Sequence, residues 1–415
     1  MRRLVGQRLV TLAAAVTAAV VVVAGAAAAG RHLPDWARPQ IASVVSHGLM
    51  ARSVQGFRPN NRLTRQAMSK LAYGLTEALT PEVTVPTTTD PTTTDPTSTD
   101  PTTTDPTSTD PTSTDPTSTD PTSTDPTPTD PTTTDPVPTL PPPPPPVSDP
   151  NGAVTMAQLD SQLVDALYLR HAAREFSLGA KAAGIRVPSR FGTEVVARLL
   201  GLRIDHPAAE DYLELRPQDP ASRAEAAYSA AQILSFAPFG SSWQLGWVQE
   251  LADSFAIPKL NVWQKRILTV AFSKIGMPYV WGGTSDGPEA PFGVPSRGGY
   301  DCSGFVWRVY KLQSYPDEGD LASVIRGRTT MVMSVEVPRS ELIPFAKLQP
   351  GDVLFFGAHG PRSSGAQIDH TAIYVGNGWL IQSSGQGVAL AQLTGWYRRQ
   401  FAWARRPLRE AGLEG

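Results

Sequence analysis

The chain of 415 residues has one cysteine, in GGYDCSGFVW at 298–307. Gly298 and Gly299 break structure before it, and Phe305, Val306, Val309, Tyr310 and Leu312 follow at helical spacing. The pattern predicts a helix with Cys302 in its first turn. Backbone N–H groups and the positive end of the helix dipole favour a thiolate at such a position, the form a nucleophile needs. That nucleophile also needs a base that later returns the proton. Six histidines are available, at 32, 47, 171, 206, 359 and 370. His370 differs from the rest because it opens DHTAIYVGNGWLIQ, where Ala372 and Tyr374 alternate with Ile373 and Val375 on a predicted strand. A strand-start histidine with a helix-start cysteine suits attack on an acyl carbonyl through a covalent intermediate.

A third group would hold the imidazole in one tautomer, and Gln382 is the candidate. Asn377-Gly378 is a hairpin signal. With those two residues alone as the loop, Gln382 would oppose Ile373 and point away from the His370 face. A three-residue loop, Gly376-Asn377-Gly378, puts Gln382 opposite Ala372 and diagonal to His370. The catalytic reading therefore expects the odd-length loop, and a two-residue turn is expected to remove Gln382 as orienter. Asp301 and Ser303 flank the thiol and are expected to bind substrate or steady the loop, because an adjacent acid disfavours a thiolate. Tyr279, in GMPYVWGG, is placed to present its hydroxyl to the same site.

These residues need elements to carry them. Residues 262–274 read as a helix, and LQPGDVLFF at 348–356 as a turn into a buried strand. Ahead of them, Arg2, Arg3 and Arg8 precede an uncharged run from Leu9 to Ala29 that ends in four alanines, the pattern of a cleaved signal peptide over 1–29. If it stays uncleaved, the run is a membrane anchor. Residues 84–150 form a Thr/Asp/Pro repeat ending in Pro141–Pro146, with too little apolar surface to order. Fully extended, this spacer reaches on the order of 200 Å. Residues 84–147 hold ten Asp and no Lys or Arg, so the net charge of −2 conceals a basic remainder with 36 basic and 28 acidic residues. A mildly basic body suits an anionic wall polymer, and no basic-aromatic clustering points to nucleic acid. A single cysteine leaves no intramolecular disulfide.

Two resemblances organise the chain. Residues 31–80 resemble an S-layer homology module, as does 204–240 through Arg216-Pro217 and Arg223-Ala224-Glu225, and less closely 151–203, where VPSRFGTEVVARLLGL at 187–202 repeats the turn and helix. Such modules imply attachment to a secondary cell-wall polymer. PYVWGG, DCSGFV, LQPGDVLFF and DHTAIYVGNG stand in the order found in NlpC/P60 cysteine peptidases, and the resemblance spans a domain of 262–411. It implies an α+β, papain-like fold in which a Cys-bearing helix packs on an antiparallel sheet. Cys302 would be nucleophile, His370 base and Gln382 orienter, with Tyr279, Asp301 and Ser303 on the substrate, and no metal or organic cofactor. The implied protein is a secreted, wall-associated endopeptidase that cuts peptidoglycan stem peptides at the D-γ-glutamyl to diamino-acid bond. The alternatives are a non-catalytic wall scaffold, or a thiol amidase or acyltransferase on the same fold. The loops 284–299 and 359–367 are longer than the family's and are expected to rim the cleft.

Overall fold

A computed structural model describes residues 34–81 and 146–414. The predicted signal peptide and nearly all of the predicted spacer lie outside the described residues.

Helices α1 (Arg38–Ser46), α2 (Arg65–Leu79), α3 (Met156–Ala166), α4 (Arg170–Ala182), α5 (Phe191–Leu199), α6 (Arg223–Leu234) and α7 (Trp243–Asp253) form the first half. Three of them start on hydroxyl caps. Thr64 accepts from Ala67 N–H, Thr155 from Gln158 N–H and Ser222 from Glu225 N–H; each cap satisfies a donor the helix start leaves free. The extended residues before these caps close a triangle of backbone bonds. Leu63 N–H donates to Ala221 O at 2.8 Å, Val154 N–H to Leu63 O at 3.0 Å and Ala221 N–H to Val154 O at 2.8 Å. Segments separated by the spacer thus meet, and Phe57, Met68, Leu159 and Ala227 there are fully buried. The corner supplied by the second segment is Ala153–Thr155. It is not the 187–202 stretch, whose helix α5 packs instead against α3 and α4.

The second half is mixed. Helix α8 (Val262–Ser273) begins in a capping box of Asn261 with Gln264, and α9 (Cys302–Tyr310) begins at the cysteine. Strands β1 (Val353–Gly357), β2 (Ile368–Gly376), β3 (Trp379–Ser384), β4 (Gly387–Gln392) and β5 (Phe401–Arg405) form an antiparallel sheet in the order β4-β3-β2-β1-β5. Phe305, Val306 and Val309 of α9 share one core with Val353, Phe355, Ile373 and Ile381. Leu354, Phe356, Ala372 and Leu380 form a second core. Alternation along each strand produces this split. Gly304 lets α9 approach the loop before it, because a Cβ there would lie 1.9 Å from Gly283 O.

The β2–β3 turn corrects one expectation. Asn377 and Gly378 both have positive φ, 48° and 79°, the geometry of a two-residue hairpin turn, and Gly376 pairs with Trp379. A bulge at Val375 then shifts the register, so Tyr374 faces Leu380 and Ile373 faces Ile381. The odd residue sits in the strand rather than in the loop. Gln382 consequently lies on the His370 face, as a three-residue loop would have placed it.

Among the described residues no helix is long and apolar enough to cross a membrane.

Candidate active site

Asp301 is the N-cap of α9. Its Oδ1 accepts from Gly304 N–H at 2.5 Å and from Ser303 Oγ at 3.0 Å, and its Oδ2 accepts from Gly282 N–H at 3.0 Å. The Arg328 guanidinium completes the cluster: Nη1 donates to Asp301 Oδ1 at 3.1 Å and to Ser303 Oγ at 2.7 Å. Its Nη2 donates to Asp301 Oδ2 at 3.1 Å, Gly282 O at 2.9 Å and Gly283 O at 3.2 Å. Asp301 and Ser303 thus spend their polar atoms holding the helix start and the 282–283 loop. Of the two roles expected for them, this geometry supports positioning.

Cys302 is 9% exposed. Its Sγ lies 3.5 Å from Thr330 Oγ1, on the short helix Thr330–Ser334. Burial pushes the thiol above its ordinary pKa, with Asp301 adding to the rise. The Thr330 hydroxyl and the N–H groups of Thr371 and Ser303 pull the other way. Desolvation thus opposes the thiolate that the helix start favours.

His370 is half-buried against Phe356, Trp396 and Tyr397, with ring centroids 5.7, 6.2 and 6.4 Å away. Its Nε2 lies 2.5 Å from Gln382 Oε1. With that oxygen accepting, the proton is on Nε2 and the Nδ1 lone pair is free to take a proton. Burial pushes His370 below the ordinary imidazole value, and the Gln382 bond and Asp369 offset only part of this. Among the described contacts no hydrogen bond joins Cys302 to His370. The two are linked through Thr371, the residue after His370, whose N–H bears on the thiol. Catalytic pairs in unliganded enzymes often close only on substrate.

Tyr279 is half-buried and its hydroxyl makes no hydrogen bond within the described residues. Burial raises its pKa, and nearby Cys302 and Asp301 raise it further. The phenol therefore stays protonated as a donor.

The NlpC/P60 family model matches residues 276–406, and the S-layer homology domain matches 29–69. Residues 276–406 are an NlpC/P60 domain. The chain is 34% identical over 164 residues to the murein DD-endopeptidase MepH of Escherichia coli, covering 38% of this chain and 50% of that protein. It is 30% identical over 123 residues to the γ-D-glutamyl-L-lysine dipeptidyl-peptidase of Bacillus subtilis, covering 29% of this chain and 32% of that one. A solved NlpC/P60 family protein from Bacillus cereus aligns with 37% of this chain and 42% of its own at 26% identity and TM-score 0.27. The chain thus spans half or less of the length of these curated relatives.

Three residues of the NlpC/P60 domain were not found by sequence reasoning. Arg328 and Thr330 come from the stretch between α9 and β1, which carries no pattern pointing back to Cys302. Tyr397 lies in the short helix Gly395–Gln400, and its hydroxyl accepts from Gln382 Nε2. Gln382 is 2% exposed, so Ser384 Oγ, 3.4 Å away, is the other acceptor its amide reaches. Replacing Tyr397 with Phe leaves a buried donor underserved and frees the amide to turn. We expect kcat to fall about 10-fold with KM nearly unchanged, checked by steady-state kinetics.

The pKa directions also fix the pH profile. Proton transfer from the thiol needs neutral His370, whose folded value is depressed. Activity should therefore rise with pH through a midpoint below the ordinary imidazole value of about 6.5. It should hold until well above neutrality, because the thiol itself is raised. A log(kcat/KM) profile with its acid limb above 7 would contradict this assignment.

Proposed function

We propose that the chain is a wall-associated cysteine endopeptidase that cleaves peptidoglycan stem peptides. The observation that carries this reading is the buried Cys302 at a capped helix start beside the strand where His370 is held by Gln382. The relatives named for murein and γ-D-glutamyl-L-lysine peptidase activity support the substrate class. His370 Nδ1 takes the thiol proton as Sγ attacks the amide carbonyl. The N–H of Cys302, with the Tyr279 hydroxyl as second donor, faces the oxyanion. The imidazolium, its charge supported by Gln382 Oε1, then protonates the leaving amine and a thioester remains. Water, deprotonated by His370, attacks the thioester and releases the thiol. The bond we favour is that between D-γ-glutamate and the diamino acid. The scheme uses no metal or organic cofactor. Among the described residues no cluster of His, Cys, Asp and Glu is placed to hold a metal.

The S-layer homology match supports anchorage to a secondary wall polymer, with an amino-terminal export signal and a Thr/Asp/Pro repeat as the remaining parts of a surface protein. Domains of 31–80, 151–203, 204–240 and 262–411 describe this organisation. Purified cell walls incubated with the full chain should bind it and release soluble fragments over time. Binding without release would reduce the protein to a wall-binding scaffold.

A further inference from the structure

The helical half is in direct contact with the loop that leads into the catalytic centre. Arg190 Nη2 donates to Ser273 O at 3.0 Å and Ile275 O at 3.2 Å, and Arg198 Nη2 donates to Gly276 O at 2.6 Å. A Cβ on Gly276 would lie 2.4 Å from Glu194 Oε2, so the two halves meet here without room for a side chain. Gln386, at the β3–β4 turn, pairs with Arg203 through both its backbone groups: Nε2 donates to Arg203 O at 2.9 Å, and Oε1 accepts from Arg203 N–H at 3.4 Å.

One contact reaches further. Asp211, 3% exposed in the 3-10 stretch Ala208–Leu213, accepts the N–H of Trp281 on Oδ2 at 2.9 Å. The next N–H, that of Gly282, goes to Asp301 Oδ2 at 3.0 Å. Two successive donors of one strap therefore end on two carboxylates, one from the helical half and one from the cap of the catalytic helix. The strap is the segment that carries Tyr279. Tyr279 is paired through its backbone with Tyr300, two residues before Cys302.

We propose that Asp211 is a positioning residue for catalysis: from the helical half it fixes the Trp281 amide and thereby the placement of the Tyr279 strap beside Cys302. The helical half is then a structural component of the catalytic centre as well as an anchor. A catalytic fragment without it lacks one of the two carboxylates that hold the strap. This inference rests on reading Cys302 and His370 as a peptidase centre.

The test uses the full chain as wild type, Asp211→Ala and Asp211→Asn. Kinetics on a defined stem tetrapeptide are paired with thermal unfolding and with amide hydrogen exchange over 279–283. Asp211→Ala should lower kcat about 10-fold with KM within about twofold, and speed exchange of the Trp281 amide by a similar factor. Asp211→Asn, whose carboxamide oxygen accepts the same N–H, should recover most of both. If Asp211→Ala does not fold, Asp211→Glu takes its place with the same expected losses, because one more methylene displaces the acceptor. Unchanged kcat and exchange in Asp211→Ala, or in Asp211→Glu where it stands in, would overturn the proposal, as would a folded Asp211→Asn as slow as either. A wild-type chain that cleaves no peptide would sink the peptidase reading instead, while the exchange measurement would still decide the Asp211 contact.

Discussion

Replacing Cys302 with Ala should lower turnover of stem peptides by about 10⁴-fold or more, with no loss of wall binding. The size follows from the chemistry. Without the thiol no thioester forms, and losing the nucleophile of a unit that acts together removes nearly all of its rate advantage. The fold should survive, because Sγ reaches only the Thr330 hydroxyl and two nearby N–H groups, and α9 keeps its Asp301 cap and its apolar face. Cys302→Ser is the sharper comparison. It keeps a hydroxyl within reach of Thr330, yet its alkoxide is far harder to form beside a neutral imidazole. Both variants should unfold within a few degrees of wild type and bind walls equally. Steady-state kinetics together with a wall sedimentation assay would check this, and turnover retained by either variant would remove Cys302 from the mechanism.

The second large effect concerns Arg405, which is 1% exposed on β5. Its Nη1 lies 2.5 Å from Glu336 Oε2 and donates to Met333 O at 3.0 Å. Its Nη2 donates to Val324 O at 2.8 Å and pairs with Glu410. Glu336 in turn accepts the N–H groups of Arg326, at 3.0 Å, and of Gly327. This network ties the sheet edge to the segment that delivers Arg328 and Thr330 to the active site. Arg405→Leu strands two buried carboxylates, which costs about 3–5 kcal/mol. For a folded body of this size that lowers Tm by roughly 6 °C. The 326–334 segment should loosen first, so activity should fall at temperatures where the fold persists. Adding Glu336→Gln and Glu410→Gln should restore much of the Tm, because the unpaired charges and not the lost volume carry the penalty. Thermal and urea unfolding of the single and triple variants would measure it. A single variant within 1 kcal/mol of wild type would show that the network contributes little.

How far the sequence reached depended on the range of the interactions involved. The helix that carries Cys302 in its first turn, the strand carrying His370 and the helix over 262–274 follow from local signals, and the structure has them. Register arithmetic puts Gln382 on the His370 face through a three-residue loop, whereas the structure does so with a two-residue turn. A bulge at Val375 supplied the odd residue, and no sequence pattern separates a bulge there from a longer loop. The local sequence shows the helix position of the thiol but not its burial, which pushes its pKa up, nor the Thr330 hydroxyl that pulls it back. Tyr397, Arg328 and Asp211 were invisible for the same reason. Each acts through a partner many positions away, and none sits in a segment whose spacing marks it. Phe292 of the 284–299 loop lies against Gly282, next to the Trp281 amide.

The most direct test of the account is mass spectrometry of the fragments released from purified peptidoglycan by the full chain, with the Cys302→Ala protein as the blank. The account predicts fragments ending in D-glutamate, and complementary fragments beginning with the diamino acid, in the wild-type digest alone. The same fragments from the Cys302→Ala protein, or wild-type products cut at the muramoyl-alanine bond instead, would contradict it.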